Sequence, residues 1–224
     1  MLTEERHEII LKLLESKGIV RIQDLVEILN TSESTVRRDL SFLEKKKMLK
    51  RIHGGASLLT QKKEEPSMVE KATKNLAAKK KIATYAASLI QNGDCIFLDA
   101  GTTTLQMIEA ITAKDVTVVT NGIPHLELLA EKGITTFAVG GFIKRKTKAM
   151  VGYNAIENLR KYRFDKTFLG VNGIHTVYGF TTPDPDEAAI KKTAMELGQK
   201  IYVLADDSKF NEVTFAKISS LDEA

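Results

Sequence analysis

Five short, almost uninterrupted apolar runs in the second half of the chain constrain its fold most. They are CIFLD (95–99), VTVVTN (116–121), TTFAVGG (135–141), KTFLGV (166–171) and IYVLAD (201–206). A strand with one wet face alternates polar and apolar residues, whereas a near-continuous run is buried on both faces. Helix-length segments separate the runs, and strands that alternate with helices form a parallel sheet. A preceding helix from about Ser67 to Gln91 completes an α/β unit, with no internal repeat along it.

The first sixty residues follow the helical period instead. Residues 3–17 place Ile9, Ile10, Leu13 and Leu14 on one face, with Thr3 as a cap, Glu4 and Glu5 in the first turn and Gly18 as terminator. Residues 22–29 carry Leu25, Ile28 and Leu29 at helical spacing, and Asn30-Thr31-Ser32 then forms a tight turn with Asn30 left-handed. Ser32 caps a third helix over about 33–46, whose inward stripe is Val36, Leu40 and Leu43. This is a helix-turn-helix pattern. Residues 49–59, LKRIHGGASLL, read as two β-prone arms around Gly54-Gly55, a pair suited to a primed hairpin turn, which makes the segment a wing. TQKKEEP (60–66) holds a proline and no apolar run, so the chain divides into a winged helix-turn-helix over 1–59, a linker over 60–66 and a parallel-sheet domain over 67–224.

At 100° per residue the outward face of the third helix follows from its inward one. Within about 40° of the direction opposite Val36 lie Ser34, Arg38, Ser41 and Lys45, flanked by Thr35 and Arg37. Charge is concentrated here: residues 33–82 hold 14 basic and 6 acidic side chains, against 4 and 6 in residues 1–32 and 15 and 17 in residues 83–224. Clustered cations bind phosphates through counterion release, so the expected partner is double-stranded DNA. The helix would contact it through Ser34, Thr35, Arg37, Arg38, Ser41 and Lys45, and the wing through Lys50, Arg51, His53 and Gly54. A solvated lysine-rich face accounts for the charge alone equally well. No apolar run is long enough for a membrane span, MLTEERHEII is charged where a secretory signal is apolar, and the single Cys95 excludes an intrachain disulfide. A cytoplasmic chain is expected.

In a parallel sheet the loops after the strands open at one edge, where free amides and helix N-termini attract anions. Gly101-Thr102-Thr103-Thr104 follows the first strand, and Gly101 permits close backbone approach while the threonines add donors. No lysine stands at Walker spacing, which disfavours nucleotide hydrolysis. Thr120-Asn121, Gly140-Gly141, 170–173 and 206–209 follow other strands, and Glu187 and Lys191 lie four apart near a helix start. With Asp99 and Lys209, these residues describe a cleft suited to a phosphorylated polyol. Each taken alone reads equally as a turn, a cap or a surface ion pair. His7, His53, His125 and His175 lack metal-ligand spacing, so neither metal nor cofactor is expected, and Cys95 reads as inert core.

The segment SESTVRRDLSFLEKKKMLKRIHGGA resembles the recognition helix and wing of the DeoR family of bacterial repressors. FLDAGTTT, VVTNGI, VGG, FLGVNGI and ADDSKF resemble that family's sensor domain. The resemblance implies a winged helix-turn-helix joined to a sensor shaped like ribose-5-phosphate isomerase and CoA transferases, binding operator DNA and a phosphorylated sugar without converting it. It assigns Thr35, Arg37 and Arg38, supported by His53 and Gly54, to the operator. It assigns Asp99, Gly101, Thr102, Thr103, Thr104, Asn121, Gly140, Gly141 and Lys209 to the effector. GFTTPDPDEAAIKK is similar, more narrowly, to fructose operon repressors, which implies fructose 1-phosphate. One recognition helix reads too few base pairs for specificity, so a homo-oligomer is expected.

Three departures stand out. Lys47 replaces a glycine after the recognition helix, the chain stops at LDEA as a shortened C-terminus would, and Arg21 replaces a small N-cap at a cost of about 1 kcal/mol unless compensated. The rival reading is a sugar-phosphate isomerase with an accessory nucleic-acid domain, using Asp99 or Glu187 as base.

Overall fold

A computed structural model describes residues 2–46, 48–52, 54–58 and 67–224. The chain divides into two compact units, Met1–Lys62 and Lys63–Ala224. Lys47, His53 and the expected linker 60–66 lie outside the described residues.

In the first unit α1 (Thr3–Lys17), α2 (Ile22–Leu29) and α3 (Glu33–Lys45) close on a core that includes Ile10, Leu14, Leu25, Leu29, Val36, Leu40 and Leu43. Asn30 ends α2 at φ 44°, and the Ser32 hydroxyl then accepts the Thr35 amide at 3.3 Å to start α3. Ser32→Ala should therefore lower the stability of this unit by about 1 kcal/mol, read as a lower urea midpoint at unchanged slope. Ile28 corrects the expected inward face of α2, because it is exposed. The buried set is Ile22, Leu25 and Leu29, whose mean direction lies about 90° from Ile28 around the helix.

The wing has three strands rather than two. β1 (Ile19–Arg21), β2 (Leu49–Ile52) and β3 (Gly55–Leu58) form an antiparallel sheet in the order β1-β3-β2. The two glycines do different work. Gly54 takes φ +80° at the turn, whereas a Cβ on Gly55 would stand 2.1 Å from the Val20 carbonyl of β1. The Gly54 carbonyl accepts the Ile22 amide at 2.8 Å, so the wing turn satisfies a helix end that Arg21 cannot cap with its side chain. Asp39, which the apolar stripe does not mark, is buried and accepts from Arg6 (2.8 and 3.1 Å) and His7 (3.1 Å), tying α3 to α1. Burial pushes the Asp39 carboxyl up, but the hydrogen bonds from Arg6 and His7 outweigh that and hold it below its usual range.

The second unit is built on five parallel strands, β4 (Cys95–Leu98), β5 (Thr117–Thr120), β6 (Thr135–Ala138), β9 (Phe164–Gly170) and β12 (Gly198–Leu204), in the order β12-β9-β4-β5-β6. One face packs against α5 (Leu76–Ser88), α6 (Thr102–Ala110) and α7 (Ile123–Glu131) around Ile96, Leu98, Val118 and Phe168. The other packs against α8 (Tyr153–Leu159) and α9 (Pro185–Leu197) around Phe97, Val119 and Leu169.

The long helix expected over 67–91 is broken into α4 (Met68–Thr73) and α5 by Asn75 at φ 54°. Two hairpins escape the strand-helix alternation. β7 (Phe142–Ile143) pairs with β8 (Met150–Val151), and β10 (Gly173–His175) pairs with β11 (Gly179–Thr182), which also pairs with β13 (Ala216–Ser219). Cys95 is exposed rather than core, because it opens β4 at the amino edge of the sheet, where its amide donates to Asp165 Oδ2 at 2.8 Å. Among the described residues no helix is long and apolar enough to cross a membrane, and no three His, Cys, Asp or Glu side chains group to hold a metal ion.

Buried His125 sets a pH limit on this unit. Its Nε2 meets Thr104 Oγ1 at 3.0 Å, its Nδ1 has no partner among the described residues, and burial pushes its pKa down to about 3. The unfolded chain takes up this proton at about pH 6.5, so stability present above that pH is lost as the pH falls toward 3. Between pH 7 and 5.5 the loss should be about 1 kcal/mol, and His125→Phe should remove that part of the slope in urea titrations of the second unit.

Candidate nucleic-acid face and ligand cleft

The α3 side chains form one polar surface. Ser34, Arg37, Arg38, Ser41 and Lys45 are exposed and Thr35 is half-buried, because Val36, Leu40 and Leu43 fix the opposite face in the core. Arg37 is held by Glu33, one turn earlier, with Nη2 at 2.6 Å and Nε at 2.8 Å from Oε1. Arg38 is looser, with Nε 3.4 Å from the Ser34 carbonyl. On the wing Lys50 and Gly54 are exposed, while Arg51 is half-buried and donates through Nη1 to Ser41 Oγ at 2.8 Å. A surface with several cations on one helix face and a hairpin beside it can meet a polyanion.

In the second unit strand order decides the ligand site. Connections run from β4 outward through β5 and β6 on one side and through β9 and β12 on the other. The crevice of such a sheet opens at the carboxyl ends of the two strands where the direction reverses, here β4 and β9. A cleft lies there. Its walls include Asp99, Gly101, Thr102 and Thr103 after β4, Gly170, Val171 and Asn172 after β9, Asp206 and Lys209 after β12, and Glu187 and Lys191 from α9.

The cleft is organised by buried charge. Asp99 Oδ2 accepts from the ammonium of Lys191 and from the Gly170 amide at 3.1 Å. Glu187 accepts from Thr147 Oγ1 at 2.8 Å and Lys144 Nζ at 3.1 Å. Glu187 and Lys191 thus pair with other elements rather than with each other as an i, i+4 surface pair would. Thr102 and Thr103 occupy the first turn of α6, whose opening amides have no partner inside the helix and carry its positive end.

Five expected site residues do not line this cleft. Thr120 Oγ1 donates to the Leu98 carbonyl at 2.6 Å, and Asn121 Oδ1 accepts the Ala100 amide at 2.8 Å, so both brace the loop after β4 from behind. Thr104 is fully buried, its hydroxyl donating to the Asp99 carbonyl at 2.5 Å. Gly140 and Gly141 turn the chain after β6 at φ +71° and +102°, and a Cβ on Gly141 would stand 2.7 Å from the Val151 carbonyl. Thr120, Asn121 and the two glycines belong to the β5 and β6 ends of the sheet, beyond the reversal between β4 and β9.

Other wall residues escape a reading of strand ends. Lys79 of α5 is buried, donates to the Lys71 carbonyl and reaches the cleft, as does Lys71. Burial lowers its pKa against the opposing pull of Asp206. It sits one turn before buried Ala83, so the helical period marks it as inward-facing despite its charge. Asp206 is oriented by Ser208 Oγ (2.5 Å) and Asn75 Nδ2 (3.0 Å); burial pushes its carboxyl up, and these hydrogen bonds and Lys209 bring it below the usual range. The cleft therefore has a helix N-terminus at one wall and Lys79 and Lys209 at another, with carboxylates between that can accept from hydroxyls.

Two family models match the chain. Residues 6–62 match the DeoR-like helix-turn-helix domain, and residues 74–224 match the DeoR C terminal sensor domain. The chain is 51% identical over 225 residues to an uncharacterized HTH-type transcriptional regulator, FruR, of Bacillus subtilis (strain 168), covering 100% of this chain and 90% of that protein. It is 39% identical over 223 residues to the lactose phosphotransferase system repressor of Staphylococcus aureus (strain N315), covering 98% and 88%. Among solved structures, ribose 5-phosphate isomerase A from Methanocaldococcus jannaschii aligns with 61% of this chain and 55% of its own, at 19% identity and TM-score 0.45.

Proposed function

The chain belongs to the DeoR family of transcriptional regulators, and from that premise we propose that it represses a carbohydrate-utilisation operon under control of a sugar phosphate. Residues 1–59 would form the DNA-binding domain, joined by a linker over 60–66 to a sensor over 67–224. The operator contacts are Ser34, Thr35, Arg37, Arg38 and Lys45 of α3 with His53 and Gly54 of the wing, while Ser41 and Arg51, expected among them from sequence, are bonded to each other. The observation that carries the reading is the coexistence, in one chain, of an exposed cationic helix face and a cleft whose walls hold an α6 N-terminus, Lys79 and Lys209. A phosphate suits the amides of Thr102 and Thr103 or the two lysines, and sugar hydroxyls suit Asp99, Glu187 and Asn172.

The preferred effector is fructose 1-phosphate, which the resemblance of GFTTPDPDEAAIKK to fructose operon repressors implies. The working form is a homo-oligomer in the cytoplasm, because two recognition helices are needed to specify a site. Ligand control follows if the sensor binds effector with unequal affinity in the DNA-bound and released states. The isomerase alternative is disfavoured because both carboxylates that could act as base are already engaged, Asp99 by Lys191 and Gly170 and Glu187 by Thr147 and Lys144.

The test is fluorescence anisotropy of the full chain on its own upstream DNA during titration with hexose and pentose phosphates. Binding to that duplex, shifted by one phosphate ester and not by the unphosphorylated sugar, is the expected result. Turnover of an ester without any DNA preference would overturn the reading.

A further inference from the structure

Beyond the shared core at Leu43 and Leu49, polar bonds at Arg51 join the wing to the recognition helix. Arg51 sits on β2, an edge strand of its sheet. Its amide donates to Glu44 Oε1 at 2.8 Å and its Nη1 to Ser41 Oγ at 2.8 Å. Ser41 and Glu44 are three residues apart and so lie side by side on α3. The Ser41 hydroxyl donates its proton to the Arg37 carbonyl at 2.8 Å, which leaves it only acceptor capacity toward Arg51. Arg51 Nε is buried and has no hydrogen-bond partner among the described residues. A cation kept for phosphate would hold its donors in water until DNA arrives. This one buries a donor unpaired while spending another on Ser41, a cost that makes sense if the geometry it enforces is what is needed.

Resting on the DNA-binding reading above, we propose that Arg51 is a positioning residue that fixes the wing against α3, with Ser41 as its anchor, rather than a contact to the DNA backbone. Reading a site requires the helix in the major groove and the wing at the adjacent backbone at the same time. If the tether is cut, each contact keeps its chemistry, but binding must then order the wing, which weakens operator recognition. Non-specific binding depends on the number of cations near phosphates and is indifferent to the wing angle. The two roles therefore differ in what they do to selective and unselective binding.

The experiment uses the full chain, a duplex selected by the wild-type chain from a random library, and an unrelated duplex of equal length, with anisotropy measured over a series of salt concentrations. Arg51→Ala and Ser41→Ala are each expected to weaken binding to the selected duplex about tenfold and to the unrelated duplex less than about twofold, with the salt slope unchanged. The double variant should be no weaker than either single one, since both remove the same tether. Arg51→Lys, which keeps the charge but not the fork, should behave as Arg51→Ala. Ser41→Ala places a strong helix former at an exposed helix position, so this arm stands even if Arg51→Ala unfolds the unit. Equal weakening on both duplexes with a salt slope lower by about one, restored by Arg51→Lys, would identify a phosphate contact and overturn the proposal. Wild-type binding by both variants would overturn it as well. A selection on the wild-type chain that yields no preferred duplex defeats the repressor reading itself, before any variant is made.

Discussion

Lys191→Met should cost the second unit about 3–5 kcal/mol. The Asp99 carboxylate is 2% exposed, and its Oδ2 is held by the Lys191 ammonium and one backbone amide. Removing the ammonium leaves an anion in the interior with a single donor, which is far worse than losing a surface pair worth about 0–1 kcal/mol. The partner substitution supplies the control. In Asp99→Asn with Lys191→Met the charge is gone from both sides, so most of the lost stability should return, while the response to sugar phosphate should not. Urea unfolding followed by circular dichroism reads the first quantity, and anisotropy with effector the second. If Lys191→Met costs less than about 1 kcal/mol, the pair is solvated, Asp99 is not committed to it, and the case against Asp99 as a base weakens with it.

The same pair shows where the sequence is legible and where it is not. The central strands follow from local pattern, since KTFLGV is buried on both faces as its apolar run predicts, but the run TTFAVGG is not: β6 stands at the sheet edge with Phe137 46% exposed, and position in the sheet decides it. The inward stripe Val36, Leu40 and Leu43 likewise follows from the helical period, and with it the exposed face carrying Arg37 and Arg38. What local pattern does not contain is strand order. The loops after β4, β5, β6, β9 and β12 look alike as polar or glycine-rich strand ends, yet the cleft is built at the reversal between β4 and β9. Thr120, Asn121, Gly140 and Gly141 therefore brace or turn, while Asp99, Gly101, Lys191 and Lys209 reach the cleft.

Buried charge is hidden for a related reason. The partner of Asp39 is 33 residues away and that of Lys191 is 92 away, so no window of sequence shows either pairing. Lys79 is the instructive exception. It belongs to a run of three lysines that reads as solvated, but its register with Ala83, Ala86 and Ala87 points it inward, and period outweighs charge there. The broken helix before β4 shows the opposite limit, since Asn75 adopts a left-handed conformation that asparagine merely tolerates.

Arg38→Ala should weaken binding to a selected operator by about 1–3 kcal/mol, roughly 5- to 150-fold, and binding to unrelated DNA far less. Arg38 rather than Arg37 carries the larger expectation because of what each gives up on binding. Arg37 already holds Glu33 through Nη2 and Nε at 2.6 and 2.8 Å, so DNA competes with that carboxylate for the guanidinium. The pair is exposed and worth only about 0.2–1 kcal/mol, so it tempers the contribution of Arg37 without abolishing it. Arg38 holds only a long contact of 3.4 Å to the Ser34 carbonyl and has its fork free for the edge of a guanine. Two companions make the argument selective. Arg38→Lys retains the charge but loses the two-point geometry, so it should restore binding to unrelated DNA and not to the operator. Glu33→Gln frees Arg37 and removes an anion from the same face, so it should tighten binding to both duplexes, most at low salt. An Arg38→Ala variant that loses affinity equally for both duplexes, with one unit less salt dependence, would reassign this side chain to the phosphate backbone and leave base reading to Arg37.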